Sequence, residues 1–144
     1  MSGIIVGIDG SAHSRRALEW AISEAAIRHA SLTVVTVPQP AGGYWATAYQ
    51  QDLDTAEHAA KMAREEVESV LDKLGAVSRP PSVTVQAVIG LPGEELLNAA
   101  QGADMIVVGC RGAGGFKKLL MGSVSVHVTH HAHCPVTVIP GGGD

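Results

Sequence analysis

A chain of 144 residues is long enough for one domain with a sizeable core, and hydrophobic and charged contents of 46% and 17% are those of a folded globular chain rather than a disordered one. A net charge of −4 and a pI near 5.9 argue against broad nucleic-acid binding, which calls for a basic face. No apolar run approaches the ~18 residues of a membrane span, no basic, cleavable leader precedes the first apolar run, and two cysteines make no disulfide framework, so the cytoplasm is the expected location and no membrane partner is expected.

Short apolar, β-branched runs alternate with amphipathic stretches. Ile4–Ile8 reads as a strand buried on both faces, ending in Asp9-Gly10-Ser11. Ser11 is the expected N-cap of a helix with Leu18, Ala21, Ile22 and Ala25 on one face and Arg15, Arg16, Glu19 and Glu24 off it. Leu32–Val37 is a second strand, stopped by Pro38 and Pro40. Residues 38–51 then read as a long loop carrying Tyr44, Trp45 and Tyr49, which either pack on the next helix or form a flap over a ligand or partner. The next helix is expected from about Asp54 to Leu74. Its stripe is Ala56, Ala60, Ala63, Val67, Val70 and Leu74, and Gly75 stops it. Arg79-Pro80-Pro81 leads into a third strand, Val83–Val88. A short helix with Pro92 in its first turn should turn Leu96, Leu97 and Ala100 inward. Met105–Val108 is the fourth strand and Pro135–Pro140 the fifth, followed by a frayed tail from Gly141 to Asp144.

This alternation predicts an α/β fold, a doubly wound five-stranded parallel sheet with helices on both faces and strand order 3-2-1-4-5, forming one domain over residues 1–144. In that order the topological switch lies between strands 1 and 4, and ligands bind outside the carboxyl ends of strands there. Asp9-Gly10 and Gly109-Cys110-Arg111-Gly112 should therefore converge on one crevice.

The stretch from Val107 to Ser125 carries the chemistry. A buried strand ends at Gly109, a glycine-rich loop with Lys117 and Lys118 follows, and a helix opens at Gly122-Ser123. Glycines let a ligand approach the backbone, and the first N–H groups of a helix lack internal partners at the positive end of its dipole. These parts suit an anion, most simply a polyphosphate; the alternative is an ordinary glycine-rich connection. Two known phosphate motifs fail. Neither Lys117 nor Lys118 follows a glycine, as a Walker A loop requires, and Gly112-Ala113-Gly114 is not continued as G-x-G-x-x-G.

A third spacing fits: G-x2-G-x9-G-[ST], from Gly109 through Gly112 to Gly122 and Ser123. It resembles the ATP-binding signature of the universal stress protein family. The resemblance extends over nearly the whole chain, through Ile5-Val6-Gly7-Ile8-Asp9-Gly10-Ser11, Gly90-Leu91-Pro92, Ala103-Asp104-Met105-Ile106-Val107-Val108-Gly109 and His131-Ala132-His133-Cys134-Pro135-Val136. It implies a Rossmann-like, adenine nucleotide alpha hydrolase-like fold and a dimeric, cytoplasmic, ATP-binding regulator of the stress response without strong catalysis. By the same resemblance Gly109, Gly112, Gly122 and Ser123 hold the phosphates, with Val124 and Ser125 beside them at the start of the helix. Asp9 and Gly10 lie near ribose and bound Mg²⁺, Val37 frames the adenine and Val108 lines the pocket. Asp9 has a second reading as a helix cap. Arg111, Lys117 and Lys118 add positive charge near the phosphates or belong to a solvated loop.

Cys110 stands where the family more often has a small polar residue; it is either a space-filler or a redox-sensitive thiol beside the loop. Cys110 and Cys134 should sit at opposite edges of the sheet, on the order of 15 Å apart and too far to bridge. His127 and His131 have the i, i+4 spacing of helical zinc ligands, but no acidic ligand or CxxC accompanies them and no metal is assigned on spacing alone. A response-regulator receiver is disfavoured because the third strand ends in Val88-Ile89-Gly90 rather than an acid. No Ser-His-Asp order or G-x-S-x-G elbow appears, so no catalytic residue is assigned. The alternatives kept open are a module for another adenine nucleotide such as cyclic AMP, and a weak ATPase. The uncharged last strand, Val136-Thr137-Val138-Ile139, should lie at the sheet edge and pair with its own copy in a homodimer.

Overall fold

The computed structural model describes residues 3–38, 49–110 and 122–141, with side chains throughout these except at 49–53. In chain order the elements are β1 (Gly3–Ile8), α1 (Ala12–Arg28), β2 (Ser31–Thr36), α2 (Tyr49–Leu74), a 3₁₀ turn (Ala76–Ser78), β3 (Val83–Ala87), α3 (Pro92–Ala99), β4 (Met105–Gly109), α4 (Ser123–His131) and β5 (Val136–Ile139). The sheet order is β3-β2-β1-β4-β5 with every neighbour parallel, as the alternation predicts.

The alternation of side chains along each strand divides the core in two. Ile4, Val6 and Ile8 of β1 face one way, with Leu32, Val34, Met105 and Val107. They meet Leu18, Ala21, Ile22 and Ala25 of α1 and Ala63, Val67, Val70 and Leu71 of α2. Ile5, Val35, Ile106 and Val108 face the other way, onto Leu96 and Ala100 of the α3 side and Val128 of α4. Val6, Ile106 and Val107 are wholly buried. A fully buried side chain of this kind contributes about 1.5–3 kcal/mol, so the central strands anchor both layers.

The expected apolar faces of α1 and α2 both point at the sheet. The strand ends lie within a residue of those expected, and one helix boundary differs by more. α2 starts at Tyr49, not near Asp54, because the apolar stripe used to place it begins only at Ala56. No proline or glycine lies between Tyr49 and Asp54, so nothing stops the helix from extending back over Gln50, Gln51 and Asp52. Tyr49 therefore belongs to the helix rather than the loop. Tyr44 and Trp45, and with them the flap reading, lie outside the described residues.

Both cysteines are free. Cys110 follows Gly109 at the carboxyl ends of the strands, while Cys134 precedes the point where Val136 pairs with Ile106 at their amino ends. Among the described residues no helix is long and apolar enough to cross a membrane.

Candidate functional site

The strand registers align the carboxyl ends of the sheet. Ile8 pairs with Thr36, and Gly109 with Ile139. Val6 pairs with Val107, so continuing that register sets Ile8 opposite Gly109. The next residues along the chain, Val37, Asp9 and Cys110, thus emerge side by side from β2, β1 and β4, with β1 and β4 flanking the topological switch.

At β1 the chain turns through Gly10, whose φ of +84° is left-handed backbone suited to glycine. Ser11 then caps α1: its Oγ accepts the Ser14 N–H at 3.2 Å. The cap is therefore Ser11, and Asp9 braces the turn, its Oδ1 accepting the Ser11 N–H at 2.9 Å while its own N–H donates to Ser14 Oγ. Asp9 and Gly10 are exposed at the mouth of the crevice.

At β4 the chain leaves at Cys110 and returns at Gly122, whose N–H donates to the Cys110 carbonyl at 2.5 Å. Gly122 is the N-cap of α4, extended at φ −77° and ψ 168°, and supplies no side-chain acceptor. Of the two helix starts that flank the topological switch, α1 is closed by a serine oxygen and α4 is not; α3, which follows β3, also lacks a side-chain cap. The first-turn N–H groups of α4 begin at Ser123, which is exposed, and a helix start of this kind favours an anion. Gly112, Arg111, Lys117 and Lys118 lie outside the described residues.

Ser125 is buried and its Oγ donates to the Gly109 carbonyl at 2.5 Å. Its hydroxyl proton is thus committed to fixing α4 against β4 rather than to a ligand. Gly109 is a packing glycine as well as a motif glycine: a Cβ there would sit 2.9 Å from the His13 carbonyl oxygen in the first turn of α1. Val37, Val108 and Val124 belong to a single apolar cluster, the one between the sheet and α3/α4.

Glu66 is a neighbour the sequence reading left out. It lies on α2, and burial pushes its carboxyl above the usual 4.5; the Arg15 guanidinium pulls it down and Asp9 pushes it up. Arg15 in turn donates to Ser69 Oγ at 3.0 Å, tying α1 to α2. The signal was present: Glu66 falls between Ala63, Val67 and Val70 at steps of three, one and four, an acid on the apolar stripe. Cys134 also has a raised thiol pKa, through burial and then Asp104, against a lowering contact from the Ile106 backbone, which leaves it a poor nucleophile.

An open, parallel, doubly wound sheet in the order β3-β2-β1-β4-β5 with helices on both faces defines a Rossmann-like α/β domain. A family model described as the universal stress protein family matches residues 1–140, and the chain belongs to that family. A universal stress protein of Mycolicibacterium smegmatis is 34% identical over 145 residues, covering 96% of this chain and 48% of the relative. The chain thus spans about half the length of the curated relatives it matches. Among solved structures, the universal stress protein UspA from Lactobacillus plantarum superposes with a TM-score of 0.77 at 24% identity, covering 96% of this chain and 97% of that one. A universal stress protein in complex with cAMP gives 0.68 at 23% identity, covering 96% of both chains. One from Archaeoglobus fulgidus in complex with dAMP gives 0.59 at 23%, covering 96% of this chain and 98% of that one. At these identities the structural likeness is one of fold.

Proposed function

We propose that this chain is a single ATP-binding domain, residues 1–144, that acts as a nucleotide-dependent regulator in the stress response of the cytoplasm. The observation that carries the reading is the uncapped start of α4 at the switch point, next to the apolar cluster to which Val37, Val108 and Val124 belong. The residues fit the group. The N–H groups of Ser123 and Val124 and the Ser123 hydroxyl would receive phosphate oxygens, with Gly112 from the loop. Gly109, Gly122 and Ser125 hold β4 and α4 together beneath them. Val37 would frame the adenine and Val108 would line the pocket. Asp9 and Gly10 would lie toward the ribose and any bound Mg²⁺, a cation that takes oxygen ligands. The solved relatives in complex with cAMP and dAMP support an adenine nucleotide as the ligand. The relative in complex with cAMP also supports the second reading, a module for a cyclic adenine nucleotide. ATP turnover is expected to be slow at most, far below the ~1–100 s⁻¹ typical of kinases.

The reading includes a homodimer through β5. The Pro135 and Ile139 carbonyls accept the N–H groups of Ile106 and Cys110, so the backbone groups of residues 135, 137 and 139 face β4. The N–H and C=O groups of Val136 and Val138 then point out along the sheet edge, free of charge on either side. A two-fold axis there would pair the strand with its copy.

Calorimetric titration tests the ligand. Wild type should bind ATP, and Gly122→Ala combined with Ser123→Ala should abolish binding with the fold intact. Wild-type ATP affinity in that double variant removes the phosphate assignment. Asp9→Ala should weaken binding mainly when Mg²⁺ is present; equal loss without the metal assigns Asp9 to the ribose or the turn. Cyclic AMP binding tighter than ATP selects the second reading.

A further inference from the structure

The nucleotide reading uses none of the histidines at the end of α4, His127, His130, His131 and His133. Two of them are organised. The rings of His127 and His131 stack, with centroids 4.6 Å apart and planes inclined by 21°. The i, i+4 spacing places them on one face of the helix, and three further features prepare them for a ligand.

The first is the tautomer. Nδ1 of His131 lies 3.1 Å from the His127 carbonyl oxygen. A carbonyl only accepts, so Nδ1 carries the hydrogen and the lone pair stays on Nε2. Metal-ligating histidines characteristically have this arrangement, one nitrogen donating to a carbonyl and the other coordinating. The second is support. A Cβ on Gly93 would come within 2.6 Å of Cδ2 of His127, so the backbone of α3 lies against that ring, which also stacks on the ring of His131. The third is position. His131 is exposed and is the last residue of α4, where the negative end of the helix dipole favours a cation.

We infer that His127 and His131 form a two-nitrogen site for a divalent transition ion of the Cu²⁺, Ni²⁺ and Zn²⁺ class. Imidazole suits these ions, which it binds at metal–nitrogen distances of about 2.0–2.1 Å. No group of three or more His, Cys, Asp or Glu side chains assembles for a metal among the described residues, so water completes the coordination. With two nitrogen ligands and no thiolate, Cu²⁺ binds most tightly of the three. This site lies apart from the nucleotide crevice, at the opposite end of α4.

The test is titration of the full chain with Cu²⁺ alone, followed by calorimetry and by electron paramagnetic resonance. Wild type should bind one ion at this site with two equatorial nitrogens. His131→Gln, at an exposed position, and His127→Gln should each weaken binding at least tenfold, and His131→Gln should leave one nitrogen in the spectrum. His130→Gln, on another face of the same helix, should change neither reading. Wild type without saturable binding, a His130→Gln loss as large as that of His131→Gln, or wild-type affinity with both His127 and His131 replaced overturns the site.

Discussion

Gly109→Ala should destabilise the fold through a contact that side-chain motion cannot relieve. The new Cβ would lie 2.9 Å from the His13 carbonyl oxygen, 3.0 Å from its carbonyl carbon and 3.3 Å from its Cβ. The two closest of these atoms belong to the backbone, and the third is bonded directly to it. Relief requires shifting the first turn of α1, which Ser11, Ser14 and Asp9 hold with four hydrogen bonds of 2.9–3.2 Å. Overpacking of this kind costs about 1–3 kcal/mol. With a urea m-value of about 2 kcal/mol/M, the unfolding midpoint should fall by roughly 0.5–1.5 M. The assay is urea denaturation at one fixed protein concentration, since a dimer makes apparent stability concentration-dependent. Gly141→Ala provides the contrast, because its Cβ would meet the His13 imidazole instead. His13→Ala should therefore rescue Gly141→Ala and fail to rescue Gly109→Ala. A Gly109→Ala midpoint within about 0.2 M of wild type, under the same linear dependence, or a rescue by His13→Ala, refutes the account of Gly109.

Ser125→Ala removes the buried hydroxyl that donates to the Gly109 carbonyl and should cost about 1–3 kcal/mol in the same assay, the penalty for leaving a buried acceptor unsatisfied; an unchanged midpoint means the bond contributes nothing to holding α4. Burial disfavours the Glu66 carboxylate, so its contribution to stability is complete below 4.5 and is lost as pH rises through the higher folded value. Glu66→Gln should thus flatten the pH dependence above 4.5 and leave the protein more stable than wild type at pH 7, as read from urea midpoints across that range; a less stable variant at pH 7 shows that Arg15 outweighs burial. Val138→Pro removes an N–H that points away from β4, so it should shift the protein toward monomer in sedimentation velocity without disturbing the β4–β5 ladder. A wild type that sediments as a monomer at micromolar concentration removes β5 as the interface.

Local patterns determined much of this molecule. The β-branched runs, the stripe through Ala63, Val67 and Val70, the Ser11 cap and the helix start at Gly122-Ser123 each depend on residues a few positions apart, and each is legible in the sequence. A parallel, doubly wound sheet followed from the alternation of strand and helix with right-handed crossovers. The start of α2 did not, because a polar first turn without breakers is compatible with loop or helix until the rest of the helix docks. The parts played by Gly109, Ser125 and Glu66 were decided only in three dimensions. Gly109 reads as a ligand-loop glycine in sequence, yet its missing Cβ also admits the backbone of His13 from the other end of the chain. Ser125 reads as a ligand hydroxyl, yet its proton goes to Gly109. Glu66 is one acid among many along α2 until α1 brings Arg15 and β1 brings Asp9 toward it. Sequence periodicity encodes which face of an element is apolar; it does not encode which atoms of a distant segment that face will meet, and those contacts set the cost of a methyl group, the destination of a proton and the pKa of a carboxyl.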